Sequence, residues 1–438
     1  MKSSHRSLLL ASLSVGVALS ACSSKSGDVA PSDSGPLDAP SDVKVDTAPA
    51  DTAPPVPYPA FTPEMPRLQA NRGVVMKSPI FVTITWPSEA AVDKLEAFGD
   101  QIGASDYWKA ITAEYGVGPA KSGPENHVRM IGEPSPKTMT EGEAEAFVLK
   151  HVSDPTSKWP APNDNILYVV YLPTVTHLTT PGGADACNSL AGYHSSARTD
   201  SGQRVRYAII PACPIGGITS SDSFTVTASH EMAEAATDPD PGSGYVGFDN
   251  PHVAWELFQN GLGVEDGDAC VEYDESTYDA SPEFPYTVQR QWSNVAALAG
   301  KSPCAPSPPT PYFSATPLAL DPIVIDLSAY GASRRFKTNG WTVAVGETKT
   351  FDVGLYSDGP TAKWTIDAVQ KGNPWYPNVG GGDVTATVKT NAYGGNGDVA
   401  TVSITVNTAG PGKWEMISIV SKNADDTIHH YMPIIIAN

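Results

Sequence analysis

Residues 229–239 read Ser-His-Glu-Met-Ala-Glu-Ala-Ala-Thr-Asp-Pro, with His230 and Glu234 four apart and Glu231 beside the histidine. On a helix, positions i and i+4 share a face, so one imidazole and one carboxylate can meet a single cation. The spacing is that of the HExxH zinc-peptidase motif, with glutamate in place of the second histidine. It points to metal-assisted hydrolysis of a peptide, in which Glu231 takes the proton from water and the cation polarises the scissile carbonyl. Ligation by one histidine and two carboxylates would cancel a dication's charge and blunt its acidity. An oxygen-rich set also suits calcium or manganese, so zinc is the first expectation and those two are the alternatives. Crowding His230, Glu231 and Glu234 into five residues is costly unless a cation neutralises the carboxylates. A second acidic turn follows, with Glu265, Asp266 and Asp268 ahead of Cys270.

The elements that must position these groups alternate between strand and helix. The β-branched and aromatic run 80–86 reads as a strand, and 166–172 and 205–210 read as buried strands. Ser88 is expected to cap a helix carrying Val92, Leu95 and Phe98, and Ser105 one carrying Trp108, Ile111 and Tyr115. Thr140 to Glu143 is a capping-box pattern opening a helix through Val148. The motif helix is expected over roughly 225–236, stopped by Pro239. Strands followed by a metal-bearing helix is the order of zincin-type peptidases. The fold class expected is therefore an α+β zincin-like domain with a mixed sheet and metal-site helix, over 61–305.

Seven prolines between 302 and 322 predict a stiff linker, bounded at 306–321. Beyond it, short alternating runs at 323–327, 341–345, 350–355, 363–368, 384–388, 400–406, 414–420 and 431–436 are separated by Gly, Asn and Asp turns. This spacing predicts an all-β immunoglobulin-like sandwich over 322–438. Trp341, Trp364, Trp375 and Trp414 there read as core residues, with a glycan-binding face as the alternative.

The motif, followed by Glu265-x-Gly267-Asp268-x-Cys270, resembles the EXORDIUM/phosphate-induced family of plants, and still more its bacterial secreted relatives with a HExxE…ExGDxC pattern. Trp292, Ser293 and Asn294 ahead of Cys304 fit the bacterial group, as do Cys187 and the Gly192-Tyr193-His194 step ahead of 207–213. The resemblance covers about 74–304 and implies a zinc-peptidase-like site without an established reaction. It makes Asp268, then Glu265, the third-ligand candidates beside His230 and Glu234. Asp240, ten residues past His230, and His252 are the fallbacks. His194 has the residue type of an electrophile or ligand, but alone reads as a satisfied core or surface histidine.

The N-terminus reads as a targeting segment. Lys2 and Arg6 precede an apolar stretch at 8–19, and Leu19-Ser20-Ala21-Cys22 resembles the bacterial lipobox, so 1–22 is expected to be a lipoprotein signal with Cys22 as the lipidated residue. Ser23 after the cysteine fits transport to the outer membrane. Residues 23–60 hold Pro, Ala, Ser and Asp with almost no large apolar residue, and are expected to form a disordered tether. Cys187, Cys213, Cys270 and Cys304 remain, an even number for an exported chain, and pairing 187 with 213 and 270 with 304 closes two compact stretches. Against 28 Lys and Arg stand 48 Asp and Glu, a net charge of −20 that argues against nucleic acid as a partner.

The whole reads as a surface-anchored zinc-dependent peptidase-like hydrolase, bound to the outer membrane through its lipid and acting on extracellular protein or peptide. The alternative is a non-catalytic binding or adhesion lipoprotein contacting protein or glycan, with a structural metal. Glu234 separates the two readings, because a histidine there would have settled the matter for catalysis.

Overall fold

The computed structural model describes residues 55–438, apart from 181, 260, 331–333 and 371–380. Cys22, most of the expected tether and Trp375 lie outside the described residues. The chain is mixed α/β, with a large β-rich part toward its C-terminus.

A five-stranded sheet organises the first half. Its order is His127–Arg129, Ile80–Thr85, Ile166–Tyr171, Arg204–Ile210 and Tyr193–Arg198. The first four strands run parallel and the last antiparallel, so the sheet is mixed, as expected. The period of two in a strand sends neighbouring side chains to opposite faces. Leu167, Val169 and Tyr171 therefore join one core with Leu95, Phe98 and Met232. Tyr168 and Val170 join another with Ala144 and Val148. Both faces are covered by helices, which is why strand 166–171 is apolar without interruption.

The helix signals resolve in local detail. Ser105 Oγ accepts from Trp108 N at 3.0 Å, and Thr140 with Glu143 forms the full capping box on Glu141–Ser153. Ser88 does not cap Val92–Ile102, whose N-cap Ala91 makes no side-chain bond. Glu89 serves that turn instead, accepting from Ala91 N at 3.2 Å while also receiving Thr174 N at 3.0 Å. The motif helix spans Ser220–Thr237, five residues earlier than expected, because Thr219 accepts from Asp222 N at 3.2 Å.

In the second half, a four-stranded and a six-stranded sheet share one core. Val353, Leu355, Val402 and Ile404 of the first meet Trp364, Ile366, Ile417 and Ile434 of the second. Trp341, Trp364 and Trp414 are each 1% exposed, so they are core residues, not a glycan platform. The strand expected at 341–345 lies earlier, at Arg335–Thr342.

The expected linker and tether boundaries need correction. Phe313–Pro317, inside the expected linker, is a strand paired along its length with Thr348–Ser357, and Asp321–Asp326 is the next. The prolines are compatible because Pro317 closes its strand and Pro322 sits near the start of Asp321–Asp326, an edge strand of the six-stranded sheet. The two halves are not held apart, since Trp255, Tyr273 and Trp292 enter the core of the second. Helix Val253–Phe258 packs Leu257 and Phe258 with Ile323, Phe336 and Ile435. Described structure also precedes the first sheet. Pro57 O accepts from Asn396 Nδ2 at 2.8 Å, Ala60 N donates to Asn396 Oδ1 at 3.0 Å, and Glu64 N donates to Thr316 Oγ1 at 3.0 Å. Residues 57–64 thus lie along the second half instead of trailing as tether. Among the described residues no helix is long and apolar enough to cross a membrane.

His252 joins this strap to the helical region through Glu64 at 3.4 Å and Asp249 at 2.8 Å. Burial works against its charge, but the two carboxylates outweigh it and raise its pKa to about 9. A raised folded-state pKa means stabilisation that is full below the unfolded value of 6.5 and lost as pH rises through 9. Denaturant unfolding between pH 6 and 10 is expected to show this loss, and His252→Gln should remove much of that slope.

Candidate metal centre

The site forms where the motif helix passes between the edge of the five-stranded sheet and the acidic turn. Alanines 228, 233, 235 and 236 and Met232 bury its other sides, which lets neighbouring elements approach closely. Ser229 fixes one approach: its Oγ donates to Val226 O at 2.8 Å and accepts from Gln289 N at 2.9 Å. Asp238 ends the helix by accepting from the backbone N–H groups of Gly242, Ser243 and Gly244.

His230 Nε2 lies 3.0 Å from Glu234 Oε1 and 3.8 Å from Asp268 Oδ1, and these three residues form a group of metal-ligating geometry. The expected i, i+4 pairing is thus present, and Asp268, ranked first as third ligand, is the residue that joins it. Asp268 N also donates to Glu234 Oε1 at 3.1 Å. Glu265 lies on the other side of the cluster, its Oε1 3.6 Å from His194 Nε2. The fallbacks are elsewhere. Asp240 pairs with Arg204 and Arg206, and His252 with Glu64 and Asp249.

His194 is the residue undervalued by sequence reasoning. It projects from the edge strand with a side chain only 4% exposed, its Nδ1 3.5 Å from Glu231 Oε2 and 3.6 Å from Glu234 Oε2. His194, Glu231 and Glu234 make a second group of metal-ligating geometry. Gln289 was missed altogether. Its Oε1 lies 3.0 Å from His230 Nδ1, while its Nε2 donates to Gly267 O at 2.8 Å. With the amide held that way round, His230 Nδ1 is the donor to Gln289, and Nε2 is the nitrogen that faces Glu234 and Asp268.

Two glycines make this crowding feasible. A Cβ at Gly267 would stand 2.7 Å from both Glu234 Oε1 and His230 Nδ1, and one at Gly192 would stand 2.6 Å from Thr227 Cγ2 and 3.0 Å from Glu231 Oε1. Both disulfides form as paired in the sequence reading, with Cα separations of 5.3 and 5.7 Å. Cys187–Cys213 brackets the strand of His194, and Cys270–Cys304 ties down the turn bearing Asp268.

Burial and neighbouring charge oppose one another across this cluster. Burial opposes the charge on His230, yet Glu234 foremost raises its pKa well above the ordinary value. His194 behaves likewise, with Glu265 the largest opposing influence. Burial also opposes the charge on Glu234, but the two imidazoles outweigh it and bring the carboxyl down to about 2. The remaining acids are pushed the other way. Burial raises Glu231; burial and the Glu234 charge raise Asp268 to about 7 and Asp266 to about 8. Glu265 is raised well above the carboxylate range by burial. The buried atoms Glu265 Oε1 and His194 Nε2 have no hydrogen-bond partner. More buried carboxylates than positive groups, close-set donors and unpartnered polar atoms all fit a bound cation. Asp268, with 35% of its side chain exposed, marks the side of the group open to solvent.

The chain matches no protein-family model and no curated protein.

Replacing Gly267 with alanine must move His230 or Glu234. Cation affinity, measured by competition with a chromophoric chelator, is expected to fall about 10- to 100-fold, the range seen when groups that orient ligands are lost. Unchanged affinity would contradict the ligand assignment.

Proposed function

We propose that this chain is an exported, metal-dependent hydrolase of peptidase type. The observation that carries the reading is one helix turn presenting His230 and Glu234 to Asp268 in a single group, with the buried carboxylate of Glu231 adjoining it. His230, Glu234 and Asp268 would hold the cation, and Glu231, whose pKa burial raises, suits a group that takes a proton from water. A dication in that group supplies Lewis acidity toward a carbonyl and toward water. Zinc is the first choice, with calcium or manganese as alternatives given the carboxylate content.

The mixed sheet with one antiparallel edge strand beside the motif helix supports a zincin-like reading of the first half. The two facing sheets support an immunoglobulin-like reading of the second. The ExGDxC turn beside the HExxE helix supports kinship with the EXORDIUM-like bacterial proteins. Two disulfides are compatible with an extracellular protein, and the Leu-Ser-Ala-Cys step at 19–22 supports a lipid anchor at Cys22 in the outer membrane. Substrates would be extracellular proteins or peptides.

A second reading, a non-catalytic surface protein with a structural metal, is favoured by one observation: Glu231 and Glu234 are only 4% and 3% exposed. The two separate experimentally. In the catalytic reading, Glu231→Gln lowers kcat on a fluorogenic peptide library about 10²-fold or more and leaves the unfolding temperature near that of the parent. Chelation abolishes turnover and lowers the unfolding temperature together. A fully active Glu231→Gln protein contradicts the mechanism. A chelation effect confined to stability supports the structural metal.

A further inference from the structure

Glu234 presents its two carboxylate oxygens to two different sets of groups. Oε1 faces His230 Nε2 at 3.0 Å and receives the Asp268 N–H at 3.1 Å, while Oε2 faces His194 Nδ1 at 3.6 Å. Glu231 Oε2 lies 3.5 Å from the same His194 nitrogen. The two groups of metal-ligating geometry share Glu234 and nothing else. Separations of 3.5 and 3.6 Å are long for charge-assisted hydrogen bonds, which close to about 2.7–2.9 Å. Two donors each about 2.1 Å from one tetrahedral ion stand about 3.4 Å apart.

His230 also has the support expected of a ligand. A metal-bound imidazole turns its other nitrogen to an acceptor that fixes the ring. For His230 that acceptor is Gln289 Oε1. His194 Nε2 faces Glu265 Oε1 at 3.6 Å, beyond hydrogen-bond length, and both of these buried atoms are without a hydrogen-bond partner. Charge points the same way. Glu231, Glu234, Glu265 and Asp268 carry four negative charges when ionised. A single dication would leave some of these acids to be neutralised by protons, and a second ion would take the place of those protons.

We propose that the centre holds two divalent cations, the second bound by His194, Glu231 and Glu234, with the Glu234 carboxylate bridging the pair. This rests on the first group being a cation site. With the second ion bound, Glu231 would serve as its ligand; with the first ion alone it stays the proton acceptor named above. It also widens the substrate class to carbonyl or phosphoryl compounds, the groups that paired ions about 3.5–4 Å apart activate.

The test is the ion content of the full chain, stripped with chelator, reloaded with Mn²⁺ and gel-filtered. Two ions per chain are expected in the parent, one in His194→Ala, one in His230→Ala and none in Glu234→Ala. One ion in the parent, retained in His194→Ala, overturns the second site and leaves the first standing. No ion in the parent overturns both. Should His194→Ala misfold, electron paramagnetic resonance of the parent with two equivalents of Mn²⁺ decides: an exchange-coupled spectrum supports the pair, and only isolated six-line signals overturn it.

Discussion

Burying carboxylates is what the rest of this structure is arranged around. Glu231, Glu234 and Glu265 are withdrawn from water beside Asp268, against two imidazoles. Taking an ionised carboxylate into a low-dielectric interior costs several kcal/mol after relaxation, so such a gathering must be answered by positive charge or by protons. The histidines answer part of it, which is why Glu234 is held low while Glu231, Glu265 and Asp268 are driven up. A cation bound there would supply the remainder.

The scaffold follows from that constraint. The candidate ligands come from three separate stretches: the edge strand, the long helix and the turn at 265–268. Each is fastened close to the centre. The disulfides restrain the strand and the turn, Ser229 and Gln289 lock the helix to its neighbour, and Asp238 gathers three backbone donors at the helix end. Gly192 and Gly267 stand where a Cβ would collide with Glu231 and with His230 and Glu234, respectively. The second half adds mass to the same body, since aromatic residues of the first enter its core.

What was legible in the sequence was mostly local. The helical spacing of His230 and Glu234, the capping box at Thr140, the Ser105 cap, both disulfides and the burial of three tryptophans could all be read from short-range rules. What stayed hidden depends on contacts between distant segments. His194 lies 37 positions before Glu231 and Gln289 lies 59 after His230, so no periodicity links them to the motif. Proline content pointed to a linker at 306–321, whereas strand pairing with 348–357 decides the outcome there. Low hydrophobicity likewise placed 57–60 in the tether, although backbone contacts to Asn396 hold that stretch against the second half.

The central claim is that these carboxylates and imidazoles form a cation site. Anomalous diffraction from crystals of the protein grown with Zn²⁺ or Mn²⁺ tests it most directly. A strong anomalous peak within coordination distance of His230 Nε2, Glu234 and Asp268 is the predicted result. An empty cluster, with peaks only on surface carboxylates, would contradict the account.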